Sequence, residues 1–177
     1  MPRVICLDFE ASGLGATSYP IEVAIVDIEG TIAREWLIKP TDDWLVRGLW
    51  DKKAEAIHGL TLNDIIARGT PAVQVARDLA AAVADAVVIC DSPKYDGQWL
   101  ATLFEAAGAN RPPFTLGNFQ EYAWQVASTA GRRPDIAFIK AEAEAHARFP
   151  VCHRAAADAN HNAEFLRQLM PHVGGVP

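Results

Sequence analysis

An apolar run near the start of the chain, VICLDFEAS, ends in two carboxylates one residue apart. Val4, Cys6, Asp8 and Glu10 follow the period of two that places alternate side chains on one face of a strand, so Asp8 and Glu10 point the same way. Two like charges at the end of a buried strand repel each other and lose hydration, which demands compensation. A cation between them would supply it. The chain must therefore fold so that other groups meet this strand end.

The chain has 177 residues, half of them apolar and five of them Trp, which suits a single globular core rather than a disordered segment. One domain is expected over 1–177, with a core from about 3 to 170 and a frayed Gly/Pro tail from Gly174 within 171–177. No apolar run reaches membrane-spanning length and no signal-type segment opens the chain, so the expectation is a soluble, cytoplasmic protein without membrane contact. Cys6, Cys90 and Cys152 form no close pair and read as reduced thiols. Sixteen basic residues against twenty-two acidic ones give a formal charge of −6. That argues against holding long duplexes by bulk attraction, but not against meeting a polyanion through bound metal ions.

Apolar runs at 4–10, 21–28 and 31–40 read as three strands, the last two a hairpin linked at Glu29-Gly30. After Pro40 the pattern changes to helical spacing, with a short helix over 61–67 and a long one over 71–84 that has Thr70 as its expected N-cap. DAVVICD at 85–91 reads as a strand covered on both faces. A helix is expected over 95–107, a short strand or loop near 114–116, and helices over 119–130, 134–146 and 154–170. The fold class is α/β: a mixed central sheet with three leading antiparallel strands and later ones, covered by helices.

Two more acids lie on apolar stripes. From Asp96, the residues Trp99, Leu100, Leu103, Phe104 and Ala107 follow at helical spacing, which turns Asp96 toward the core. Alone, Asp96 also fits a first-turn acid serving the helix dipole. From Asp158, the residues Asn162, Phe165, Leu166 and Leu169 repeat the pattern, well inside the expected helix and beyond the reach of capping. An Arg partner could equally compensate it. His153 stands five residues earlier, where it could overhang the same site or be a satisfied imidazole. Oxygen donors without Cys or clustered His suit Mg²⁺ or Mn²⁺ rather than Zn²⁺.

Asp8-Phe9-Glu10 with Ala11-Ser12-Gly13-Leu14, then Tyr95-Asp96, then the run from His153 to Asp158, with Ile57-His58-Gly59-Leu60-Thr61 between, resemble the DEDDh branch of the DnaQ-like 3′–5′ exonucleases in the ribonuclease H-like superfamily. The likeness runs from about Val4 to about Leu169. It implies a metal-dependent 3′–5′ exonuclease that releases nucleoside monophosphates from the 3′ end of single-stranded nucleic acid, DNA favoured, using two Mg²⁺ or Mn²⁺ ions per site. Asp8, Glu10, Asp96 and Asp158 would be the metal ligands and His153 the general base. Ser12, Gly13, Leu14 and His58 would receive the terminal nucleotide. Leu14 reads equally well as a base wedge or a loop anchor, and His58-Gly59 as a pocket wall or a shaped turn. Trp99, Tyr122 and Trp124 are taken as core aromatics.

One departure is Asp91-Ser92, where many family members carry His-Asn. An exoribonuclease acting on RNA ends and a catalytically silent nucleic-acid or partner-binding module are the alternatives. A homodimer and a polymerase or repair partner are both compatible with the sequence.

Overall fold

A computed structural model describes residues 2–131 and 133–170; the expected frayed tail lies outside them. Its six strands are β1 (Arg3–Ala11), β2 (Pro20–Asp27), β3 (Ala33–Lys39), β4 (Thr70–Pro71), β5 (Ala86–Cys90) and β6 (Leu116–Asn118), in the order β4-β3-β2-β1-β5-β6. β2 lies between β1 and β3 and runs antiparallel to both, whereas β5 runs parallel to β1, β6 to β5 and β4 to β3. The helices are α1 (Asp42–Arg47), α2 (Lys52–His58), α3 (Leu62–Arg68), α4 (Ala72–Ala82), α5 (Pro93–Ala106), α6 (Phe119–Thr129), α7 (Pro134–Arg148) and α8 (Ala155–Leu169). None of the described helices is long and apolar enough to cross a membrane.

The alternation along β1 decides which helices cover which face. Ile5, Leu7 and Phe9 pack with Val75, Leu79, Leu103 and Phe104 of α4 and α5, while Val4 and Cys6 pack with α6, α7 and α8. Both faces are covered at the centre of the sheet, which is why β1, β2 and β5 read as near-continuous apolar runs. Asp8 and Glu10 continue the row of Val4 and Cys6, so they lie on the face that α8 covers. Ala155, Ala159 and Ala163 of α8 are all fully buried there, and their small side chains let the helix lie close to the sheet. The thiols of Cys6, Cys90 and Cys152 are all free.

At the β2–β3 turn, Gly30 has φ +76, a left-handed conformation that glycine adopts without a steric penalty. The Asp27 carboxylate closes this turn by accepting the N–H groups of Thr31 at 2.7 Å and Ile32 at 3.1 Å, together with the Thr31 hydroxyl.

The chain departs from the expected elements at the start of α4. Thr70 does not cap α4: Thr70 and Pro71 pair with Ile38 and Lys39 as an edge strand, and the helix starts at Ala72 without a side-chain cap. Proline is tolerated there because an edge position needs no N–H. The helical spacing after Pro40, which has no set bounds in the sequence before 61, resolves into two short helices, α1 and α2. The Thr41 and Asp51 side chains cap them by accepting the N–H groups of Trp44 and Lys53. Helix α2 ends at Gly59, φ +72, where an added Cβ would meet nothing within 4 Å. The cost of Gly59→Ala is therefore conformational, and it should destabilise the protein by about 1 kcal/mol in denaturant unfolding. A neutral result would show that this turn relaxes freely.

Candidate active site

β1 and β5 are parallel, paired from Arg3↔Ala86 to Cys6↔Ile89, so their carboxyl ends lie at the same edge of the sheet. That is the crevice where open α/β sheets place ligands. The β1–β2 register slips after Glu10, so that Ala11 faces Pro20, and the chain leaves the sheet into the loop of residues 12–18. Beyond β5 the chain turns at Ser92, whose carbonyl accepts the N–H groups of Tyr95 and Asp96, both at 2.9 Å. This brings Asp96, in the first turn of α5, to the ends of β1 and β5. Helix α8 starts across the same opening.

The result is a cleft of about 610 Å³ lined by Asp8, Glu10, Asp96, Asp158 and His153, together with Gly13, Leu14 and His58. One ligand atom each from Glu10, His153 and Asp158 lie within 4.8 Å of one another. Asp8 and Asp96 are buried, and Asp96 Oδ2 has no hydrogen-bond partner. His153 is exposed and takes φ +56, unusual for a residue with a Cβ. Asp158 lies in the first turn of α8, not deep inside it as expected, because the helix starts at Ala155. Its Oδ1 accepts the Cys152 N–H at 3.1 Å.

Other expected site residues divide. Leu14 is 67% exposed at the cleft wall, so it is no packed loop anchor. His58 is buried; its Nδ1 accepts the Leu60 N–H at 3.0 Å, which places the proton of the neutral ring on Nε2. That nitrogen is buried and has no hydrogen-bond partner among the described residues. Ser12 is the exception: its hydroxyl accepts the Tyr19 N–H at 2.9 Å, and its side chain turns from the cleft into the base of the loop. Trp99 is core, as expected, and also donates its indole N–H to Ser18 Oγ at 2.9 Å. Trp124 is not core: it is 60% exposed and lines a separate groove with Gln120, Glu121 and Phe138.

Asp91 of the departing Asp91-Ser92 pair lines the cleft, and so do Asp51 and Lys53, which nothing in the sequence reading singled out. Sequence reasoning also passed over Glu22, an acid inside an apolar strand, which is fully buried and ion-paired with Arg154. An acid that interrupts an apolar run was the available signal.

The electrostatics follow from this crowding. Burial first, then Asp96, Asp91, Glu10 and Asp158, push the Asp8 carboxyl well above its ordinary range. Burial, Asp158 and Glu22 push Glu10 up to about 8. Burial pushes Asp96 up to about 7; a hydrogen bond with Cys90 pulls it down, and Asp91 adds a smaller upward push. Burial also raises Asp158, although the Cys152 N–H and His153 oppose it. Burial lowers His58, which keeps its ring neutral. Each acid resists ionising unless positive charge is brought in. Hard oxygen donors, one of them buried without a partner, fit a divalent cation.

The mixed sheet with helices on both faces has the ribonuclease H-like fold. No family model matches the chain, and no curated protein matches it significantly. Solved structures do. E. coli exonuclease I in complex with a dA16 oligonucleotide matches with a TM-score of 0.68 at 14% identity, over 95% of this chain and 40% of that one. The zinc-bound form of the E. coli exonuclease I–ssDNA complex gives 0.69 at 16% identity, over 94% and 40%. An apo exonuclease I gives 0.66 at 14%, over 95% and 42%. The chain thus spans about two fifths of the length of these nucleases, and what it shares with them is the fold.

Proposed function

We propose that the chain is a metal-dependent 3′–5′ exonuclease domain that hydrolyses single-stranded nucleic acid, DNA in preference to RNA, and releases nucleoside monophosphates. The observation that carries this reading is the convergence of four raised carboxylates and one exposed imidazole in a single open cleft, with a buried oxygen of Asp96 left unpartnered. A pure binding module would gain nothing from acids that repel phosphate. The exonuclease I structures with a dA16 oligonucleotide and with zinc and ssDNA support the same substrate class and a divalent ion.

Asp8, Glu10, Asp96 and Asp158 would hold two Mg²⁺ or Mn²⁺ ions. When bound, these ions supply Lewis-acid neutralisation of the phosphoryl oxygens and of the leaving 3′-oxygen. His153, at the cleft rim, accepts the proton of the attacking water and passes it to solvent, a task suited to an imidazole near neutral pH. Leu14 offers an apolar surface to the terminal base. His58 offers its Nε2–H to an acceptor on the nucleotide. The cleft is within the size range that encloses a small ligand, so it receives the chain end.

The test is a 5′-labelled single-stranded oligonucleotide, as DNA and as RNA, incubated with Mn²⁺, Mg²⁺ or EDTA. A ladder shrinking from the 3′ end, absent in EDTA and faster on DNA, is the expected result. Faster shortening of RNA would reverse the substrate preference, and no ladder with either would remove the nuclease reading.

A further inference from the structure

We infer that Glu22 and Arg154, which lie outside the acid cluster, are positioning residues that bolt the turn carrying His153 and Asp158 to the strand pair carrying Glu10. The activity part of the argument rests on the nuclease reading; the metal-binding part does not.

Glu22 on β2 stands directly opposite Glu10 on β1, so both side chains project from the same face of the sheet. Its carboxylate is fully buried. It accepts Arg154 Nε at 3.0 and 3.2 Å, Arg154 Nη2, and the backbone N–H of Ala155 at 2.9 Å. One acid thus takes a guanidinium fork and an N–H at the start of α8, a helix whose own N-cap residue provides no side-chain cap. Arg154 also reaches Glu35 on β3 at 3.2 Å, which spreads its hold across two strands.

What hangs from Arg154 is the site. Its carbonyl accepts the Asp158 N–H at 3.0 Å, Asp158 accepts the Cys152 N–H, and His153 lies between with its left-handed backbone. A non-glycine residue keeps such a conformation only where its surroundings over-determine it. Because Glu22 is also the cross-strand neighbour of Glu10, one bolt sets the separation of Glu10 from both His153 and Asp158.

Stability is a weak explanation for this pair. A buried ion pair can often be replaced by apolar side chains of similar volume without loss of stability. A strand that places Glu22 beside Glu10 also accepts repulsion that an apolar residue would avoid. What an apolar pair cannot do is fix direction. The pair is net neutral, so replacing both members leaves the net charge near the acids unchanged, and Glu35, which also loses Arg154, is open to solvent; a loss of function then reads as positional.

The deciding variant is the double substitution Glu22→Met/Arg154→Met, compared with wild type. Three quantities are read: metal-free melting temperature, Mn²⁺ affinity by calorimetry, and kcat and KM on single-stranded DNA. Positioning predicts an unchanged or higher melting temperature, Mn²⁺ binding about tenfold weaker, and kcat down about tenfold or more with KM within about twofold. Wild-type Mn²⁺ affinity and kcat in the double variant would overturn the proposal. Should that variant fail to fold, Glu22→Gln/Arg154→Gln decides, because it keeps the net charge and an acceptor for the Ala155 N–H and drops the ion pair. A smaller loss in the same two readouts supports positioning, and wild-type values there overturn it. If wild-type protein binds Mn²⁺ without cleaving DNA, the nuclease reading fails and calorimetry alone decides the positioning role. Wild-type protein that binds no Mn²⁺ overturns it, since there is then no converged site to hold.

Discussion

Asp8→Asn is expected to leave the protein folded and more stable without metal, while its cleavage of 3′ ends falls by at least about 10³-fold. The two halves of this result have one cause. In the metal-free protein the Asp8 carboxylate is penalised by burial and then by Asp96, Asp91, Glu10 and Asp158. A neutral carboxamide of the same shape escapes that penalty. It is, however, a poor ligand for a hard cation, and metal ions supply several kcal/mol of transition-state charge stabilisation. At about 1.4 kcal/mol per tenfold, that is three powers of ten. Melting curves with EDTA and with Mn²⁺ provide the check. Wild type should gain stability from Mn²⁺ by mass action, and Asp8→Asn should lose that gain. His153→Ala separates the roles, since it should keep most of the gain and lose about 10²- to 10⁴-fold in rate. A destabilised Asp8→Asn that still cleaves would make Asp8 a structural acid.

The parts of this site that were legible from sequence are those governed by periodicity. Asp8 and Glu10 share a face because a strand alternates, and Asp96 faces inward because its helix repeats every 3.6 residues. Such local rules assign a face to each acid, and the order of elements then brings the faces together. What stayed hidden depends on tertiary placement. The Glu22–Arg154 contact joins residues 132 apart, and no local pattern in PIEVAIVD names its partner. Helices α1 and α2 are six and seven residues long, α1 buries nothing and α2 buries only His58, so the helical spacing after Pro40 carries no apolar stripe that sets their bounds; the caps Thr41 and Asp51 do. Ser12 sits in the motif loop, yet its hydroxyl is committed to Tyr19, a contact that depends on how the loop closes on itself. Trp124 escaped the expectation that a helical aromatic is core, because α6 buries Phe119, Ala123 and Ala127 and leaves the position beside them in solvent.

Without divalent ions, the melting temperature of the wild-type protein should fall as pH rises from about 5 to about 8, relative to a Glu10→Gln/Asp96→Asn double variant. Glu10 is raised from 4.5 to about 8 and Asp96 from 3.8 to about 7, burial being the first cause in both. A carboxyl raised on folding binds its proton more tightly in the folded state than in the unfolded one. Its contribution to stability is therefore fully present below the unfolded value and is lost as pH climbs through the folded value. Other groups act in the opposite sense. Burial lowers His58, so folding is opposed as the unfolded-state imidazole gains its proton below about 6.5. Glu22 and Asp27 are lowered despite their burial, because Arg154 and Thr31 hydrogen-bond them, and their contributions are lost only at more acid pH. The double variant keeps all of these and removes two of the four raised acids, so the difference between the curves reports Glu10 and Asp96 together with the push they exert on Asp8. Saturating Mn²⁺ should reverse the slope of that difference, because metal and protons compete for the same oxygens and the metal prevails as pH rises. Parallel curves in EDTA would mean that Glu10 and Asp96 ionise at ordinary values and that the crowding of acids in the cleft is relieved by solvent rather than awaiting a cation.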